Sequence, residues 1–372
     1  MGARNLRSVL WFLLVNFSAM NLAAVDYDVA LGAAAPQAEW EQVVAAARKE
    51  GKVVVAIPLG EAYPKVIGAF QKAYPEIKAE PFSTHTRDFM ARYHKEREVG
   101  QILWDALIGG PDSDIYRAAQ QGYWDPIKPN LLLPEVLDNG KWRGGLDSAF
   151  SDTGKTFAFN FVRRITEGFF VDRDSIAETE LRDVDGLWNA KWQGKIAWHD
   201  PREVGAGVNG GLLIMLNYGE KKLRELWTQQ KIAVVRDQRQ LIEWAVRGRY
   251  PVAAGLIERE LKATFQVNGV GLNVKVLPLP GLIAANPGSN SIVLVNKAPH
   301  PNARKVFLNW LLSQNGQAAV VQAVQENSIR VDVPVPEPDR VPPEGKKVIN
   351  PQGEDMTPQR LTINKIAREI FK

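Results

Sequence analysis

Residues 40–60 read Trp40-Glu41-Gln42-Val43-Val44-Ala45-Ala46-Ala47-Arg48-Lys49-Glu50-Gly51-Lys52-Val53-Val54-Val55-Ala56-Ile57-Pro58-Leu59-Gly60, and this stretch decides the fold class. Trp40, Val43, Val44 and Ala47 recur at i, i+3, i+4 and i+7, which puts one apolar stripe on a helix. Gly51 ends that helix. Residues 53–57 are apolar without alternation, the pattern of a strand covered on both faces in a parallel sheet. Pro58-Leu59-Gly60 breaks the strand. A helix leading into a fully buried strand is half of an α/β unit.

The same rhythm continues outward. It predicts a helix over 64–74 with Val66, Ile67 and Phe70 inward, a strand at 79–82, a helix over 87–99, a strand at 104–108 and a helix from Pro111. Strand and helix alternate without hairpins, so a mostly parallel sheet is expected. The later chain repeats the plan with other residues. Apolar runs at 156–161 and 168–171 bracket Arg163-Arg164, and a short strand at 196–198 leads into His199-Asp200-Pro201-Arg202 and a glycine-rich turn. Helices at 220–229 and 240–247, strands at 252–256, 274–277 and 292–295, and helices at 302–312 and 316–325 follow. No repeat of fixed period is present. Residues 333–343 (VPVPEPDRVPP) read as an extended surface strap, and 358–371 as a final docking helix.

A chain of 372 residues suggests two domains at about 150 residues each. Hydrophobic residues at 45% and charged residues at 24% exclude a disordered or collagenous chain. No stretch approaches roughly 18 uninterrupted apolar residues, which excludes a multi-span membrane protein. The net charge of +4, from 46 basic and 42 acidic residues, is too dispersed for a nucleic-acid partner. The absence of cysteine excludes disulfides, thiolate metal sites and cysteine nucleophiles. Arg4 and Arg7 precede the apolar run 9–15 (VLWFLLV), and no acid occurs before Asp26. That start predicts an export signal over 1–24, cleaved as late as residue 35, and a periplasmic protein.

Motifs of catalysis are weak. Gly205-Ala206-Gly207-Val208-Asn209-Gly210 matches the dinucleotide pattern G-x-G-x-x-G, but it lies in mid-chain without a placed ribose acid. A turn letting backbone N–H groups approach a solute, or close helix packing, explains it better. The four histidines, His85, His94, His199 and His300, are scattered and form no ligand spacing. No cofactor, no metal site and no enzymatic activity are expected.

The order of several segments carries a resemblance. Residues 39–54 resemble the opening helix and strand of bacterial periplasmic solute-binding proteins. Residues 109–114 (GGPDSD) with 121–127 (QGYWDPI), 187–196 (LWNAKWQGKI), 298–317 (APHPNARKVFLNWLLSQNGQ) and 329–332 (IRVD) resemble later phrases of the same family, in the same order. The chain thus resembles extracellular solute-binding protein family 1, in its ferric-ion-binding-like branch. The resemblance implies an α/β, two-lobe, type II Venus-flytrap fold with crossover strands. It implies a monomer that closes over a small-molecule solute and docks on the transmembrane permease of an ABC importer. The lobes are expected at 36–160 with 272–312, and at 161–271 with 313–372.

In an open α/β sheet, ligands sit beyond the carboxyl ends of the strands, here the loops 58–63, 83–87, 109–113 and 200–209. Helix N-termini at such loops favour an anion. The candidate ligand residues there are Glu61, Tyr63, Thr84, His85, Gly110, Gly205 and Gly207. Arg164 at the first crossover and Arg202 before the glycine-rich turn add guanidinium forks suited to carboxylate or phosphate. Ferric binders of the branch carry adjacent tyrosines just after the strand that aligns with 252–256. Here Glu258 and Arg259 stand in those positions. Loss of two phenolates and gain of a cation disfavour a trivalent metal. The expected solute is a small anionic or zwitterionic organic molecule, with Arg259 and Arg202 on its acidic group and Glu258 on a donor. A metal-binding importer subunit and a two-domain α/β enzyme using the same cleft are the alternatives.

Overall fold

A computed structural model describes residues 37–372 except Val204, so the expected export signal lies outside the described residues. The first strands are β1 (Lys52–Ile57), β2 (Lys78–Ser83), β3 (Ala106–Gly109), β4 (Trp124–Asp125) and β5 (Phe159–Asn160). Next come β6 (Arg164–Ile165), β7 (Phe169–Asp172), β8 (Ile196–His199), β9 (Ala233–Val235) and β10 (Val252–Ala254). The last are β11 (Val274–Val276), β12 (Ile283–Asn286), β13 (Ser291–Val295) and β14 (Val348–Ile349).

β1 is flanked in parallel by β2 and β3, with Val55 opposite both Pro81 and Ala106. Pro81 is tolerated because β2 is the edge strand, where a missing N–H breaks no ladder. The sheet continues β2-β1-β3-β13-β4, and β5 also pairs with β13. Here the expectation of a mostly parallel sheet needs correction. β13 runs antiparallel to β3, β4 and β5, because it returns from the other lobe instead of following a local crossover helix. The second sheet has the order β11-β7-β10-β8-β9, parallel among β10, β8 and β9 and antiparallel at β7.

Each sheet has its own core. In the first, Phe70 meets Phe307 edge-on at 5.1 Å, with Val53, Val55 and Ile57 of β1 beneath. In the second, Trp198 and Trp227 cross at 90° with ring centroids 5.4 Å apart, among Phe169, Leu213 and Ile363. Two separately buried cores joined by a few strands make two lobes.

The strands between the lobes are hydrogen-bonded to each other. The chain leaves the first sheet at β5 and passes through β6 to β7, then returns from β11 through β12 to β13. β6 and β12 lie antiparallel, Ile165 opposite Ala285 and Arg164 opposite Asn286. β14, from the C-terminal segment, joins β12 in parallel.

The expected lobe boundaries shift in three places, the smallest being Phe161 and Val162, expected in the second lobe and buried in the first core. Residues 274–276, expected in the first lobe, pair with β7 in the second sheet, Val274 opposite Asp172. The helix Gln314–Val324, expected in the second lobe, places Val320 and Val324 in the first core. Sequence order gives no information on which lobe an apolar face finds, since both cores offer one. The helix Ala206–Tyr218 extends well beyond the turn that the sequence predicts. It buries Val208, Leu212, Leu213 and Ile214 as well as three glycines, so it carries no polar stripe to reveal its period.

Candidate functional site

A cleft of about 350 Å³ lies between the lobes. From the first lobe it is lined by His85, Thr86, Gly110, Asp112 and Glu326, and from the crossings by Arg164, Glu167 and Asn286. The second lobe contributes Gly205, Asn209, Leu256, Glu258 and Arg259, and the C-terminal segment Gln352 and Arg360.

Two helices of opposite lobes begin on this cleft. Thr86–Glu98 starts from His85 in extended conformation, and Ala206–Tyr218 starts from Gly205; neither has a side-chain cap. The first N–H groups of such helices lack intrahelical partners and carry partial positive charge. A third helix, Ser113–Gln120, is closed by its own residue. Asp112 Oδ1 accepts from Asp114 N at 2.9 Å and Ile115 N at 3.1 Å. Burial nonetheless raises the Asp112 pKa, against the pull of those N–H groups.

The charged side chains are partly neutralised in pairs. Arg164 Nε lies 3.2 Å from Glu326 Oε1. Glu258 is held by Arg340 and by Lys262 Nζ, the latter at 3.2 Å. Burial raises the carboxyl pKa of Glu167, with Arg340 opposing. Arg259 is exposed on the cleft and forms no salt bridge among the described residues.

Of the residues proposed from sequence, His85, Gly110, Arg164, Gly205, Glu258 and Arg259 come together on the lining. Five others lie outside it. Glu61 is exposed at the start of the helix Ala62–Ala73 and caps nothing. Tyr63 is 3% exposed in the first core and donates its hydroxyl to Asn290 Oδ1; burial pushes the phenol well above its ordinary pKa. Thr84 Oγ1 donates to the His85 carbonyl at 3.2 Å. Arg202 is consumed by structure. Its Nε and Nη2 reach the two oxygens of Asp200 at 2.9 and 2.7 Å, and its Nη1 holds the Phe371 carbonyl at 2.8 Å. Gly207 lets its helix press on β8, since a Cβ there would fall 1.9 Å from the His199 carbonyl oxygen.

Sequence reading missed Asp112, Glu167, Asn209, Glu326, Gln352 and Arg360. Asp112 and Asn209 lie within loops already singled out, and Glu167 follows Arg164 by three residues, so their neighbourhood was a usable signal. Glu326 follows a helix expected in the other lobe. Gln352 and Arg360 sit in the C-terminal segment, where nothing local marks them.

Residues 65–334 match the family described as bacterial extracellular solute-binding protein. A search of curated protein sequences finds no match. Among solved structures, iron-bound HitA from Pseudomonas aeruginosa superposes with a TM-score of 0.61 at 16% identity, over 86% of this chain and 99% of that one. The ferric binding protein from Campylobacter jejuni gives 0.65 at 15% identity, over 86% and 99%. The periplasmic binding protein AfuA from Actinobacillus pleuropneumoniae, with fructose-6-phosphate bound, gives 0.59 at 18% identity, over 86% and 98%. At these identities the likeness is one of fold, the two-lobe fold of periplasmic binding proteins. With the family match spanning both lobes and the crossings between them, this chain belongs to the bacterial extracellular solute-binding proteins.

Proposed function

We propose that this protein is the periplasmic solute-binding subunit of an ABC importer, acting as a monomer that delivers its solute to a transmembrane permease. The solute is a small anionic or zwitterionic organic molecule held in the interlobe cleft. One observation carries this reading: helix N-termini from opposite lobes, without side-chain caps among the described residues, begin on the same cleft beside Arg259, which forms no salt bridge among those residues. A ligand touching both lobes stabilises the closed form, and rotation about the hydrogen-bonded crossings supplies the closure.

The solved structures of similar fold include iron-bound proteins and one with a sugar phosphate. The donor set here fits the second better. No tyrosine is among the described residues of the lining, and Glu258 is already paired with two cations. No group of three His, Asp or Glu side chains suited to a metal occurs among the described residues. An importer subunit needs no catalytic step, and none is assigned. No helix among the described residues is long and apolar enough to cross a membrane.

A thermal-shift screen over organic acids, phosphate esters, sugars, polyamines and ferric citrate tests the reading, followed by small-angle scattering with each hit. Stoichiometric binding of an anionic organic solute with a smaller radius of gyration is expected, and no charge-transfer colour with ferric citrate. A coloured, tightly held ferric complex, or turnover of the bound molecule, would overturn it. N-terminal sequencing of periplasmic protein should find a start between residues 24 and 36; retained Met1 in the cytosol would refute export.

A further inference from the structure

The family match ends at residue 334, and the chain beyond it touches both lobes. On the first lobe, the Tyr116 hydroxyl donates to the Gln352 carbonyl at 2.6 Å, and Glu354 N donates to the Ser151 carbonyl at 2.9 Å. On the second lobe, the helix Thr357–Ile370 buries Ile363, Ile366 and Ala367 in the core. The segment therefore passes from one lobe to the other along the cleft, and Gln352 and Arg360 line that cleft.

Arg360 is 6% exposed, and its Nη1 is buried with no hydrogen-bond partner among the described residues. Among the described residues it forms no salt bridge; Asp112 and Tyr116 attract its charge without pairing, and burial depresses its pKa. A guanidinium with one nitrogen kept out of water and left unpaired is unfavourable unless an acceptor arrives. Two lining amides share the condition: Gln352 Oε1 and Asn209 Oδ1 are buried and have no partner among the described residues. Gln352 is fixed at its other end, where Nε2 donates to the Gly288 carbonyl at 3.2 Å. One cleft thus holds an unsatisfied cationic donor and two unsatisfied amide ends, a concentration that native interiors avoid.

We propose that Arg360, Gln352 and Asn209 form a subsite of the cleft for a hydroxylated or amino-bearing oxyanion. The guanidinium takes the carboxylate or phosphate group, and the amides take the hydroxyl or ammonium donors of the same molecule. The subsite rests on the solute-binding reading above and narrows its solute class. It also explains why the C-terminal segment runs along the cleft, since the residue that meets the anion comes from outside the family-matched region.

The test uses the purified mature chain with Arg360→Met and Arg360→Lys, and the probes glycerol 3-phosphate, malate, inorganic phosphate and glycerol. If Arg360 waits for a ligand, Arg360→Met removes an unpaired buried charge, so the empty variant melts at the same or a higher temperature. The wild type should be stabilised by glycerol 3-phosphate or by malate, whichever matches its oxyanion, and not by glycerol. Arg360→Met should lose about thirtyfold in that affinity, with part restored in Arg360→Lys. A lower melting temperature for empty Arg360→Met would make Arg360 a structural partner of Asp112 and overturn the subsite. Unchanged affinity in Arg360→Met would overturn it too. If no oxyanion binds but a sugar, polyamine or metal closes the lobes, the subsite fails and the solute-binding reading stands. If no solute of any class binds, both fail.

Discussion

Arg164 Nε and Glu326 Oε1 lie 3.2 Å apart, with side chains 14% and 8% exposed, and link a crossing strand to the first lobe. Arg164 belongs to β6, and Glu326 follows the helix Gln314–Val324. Glu326 Oε2 also accepts Asn290 Nδ2 at 2.8 Å, and Asn290 accepts the Tyr63 hydroxyl. The pair therefore ties the hinge to the first core while presenting both charges to the cleft.

Removing one member should leave the other buried and unpaired. Glu326→Ala is expected to destabilise the protein by about 3–5 kcal/mol, read from urea unfolding. A loss below about 1 kcal/mol would mean that water screens the pair.

Arg259→Ala should act on binding and not on folding, because the side chain is exposed and unpaired among the described residues. The expected loss of affinity for the solute is about 1.5–3 kcal/mol by calorimetry, with the melting temperature of the empty protein unchanged. Equal affinity for the two proteins would remove Arg259 from the site.

Gly207→Ala should disturb the start of a cleft helix through its packing. The added Cβ would meet the His199 carbonyl oxygen at 1.9 Å, and backbone cannot yield as a flexible side chain can. A stability loss of about 1–3 kcal/mol is expected from thermal or urea unfolding. Unaltered stability would show that β8 and this helix have room to separate.

Asp200 supplies a pH dependence. Burial pushes its carboxyl upward, but hydrogen bonds from Arg202 and Arg236 outweigh that and hold it at about 2. A carboxyl whose pKa falls on folding stabilises the protein above its unfolded value of about 3.9. That contribution is lost as pH falls from about 4 toward 2. Asp200→Asn should flatten the stability curve in this window, and Arg202→Gln should shift its fall to higher pH. Stability that declines identically in wild type and Asp200→Asn would contradict the assignment.

Most individual elements were legible because their signals are local. The stripe Trp40, Val43, Val44, Ala47 and the run 53–57 need only neighbouring residues to declare a helix and a strand. The helix Glu220–Gln229 has the bounds its sequence predicts for the same reason. The helix Ala206–Tyr218 escaped because it is apolar on every side, which erases the period that marks an amphipathic helix. The candidate site was legible by half. Loop residues such as His85, Gly110 and Gly205 follow from where strands end, a feature visible in order alone.

By itself the sequence determined the alternation of strands and helices and the loops at which strands end, while the two-lobe class and the standing of Glu258 and Arg259 at a tyrosine pair's positions were implied by its resemblance to the family. The first two depend only on residues close together in the chain. Tertiary structure alone decided which charges stay free. Arg202 and Arg360 look alike as isolated guanidinium groups, yet Arg202 is consumed by Asp200 two residues away and by the distant Phe371 carbonyl, while Arg360 is buried at the cleft and forms no salt bridge among the described residues. Composition cannot separate them, because a charge is spent or available according to what folding brings within hydrogen-bond reach.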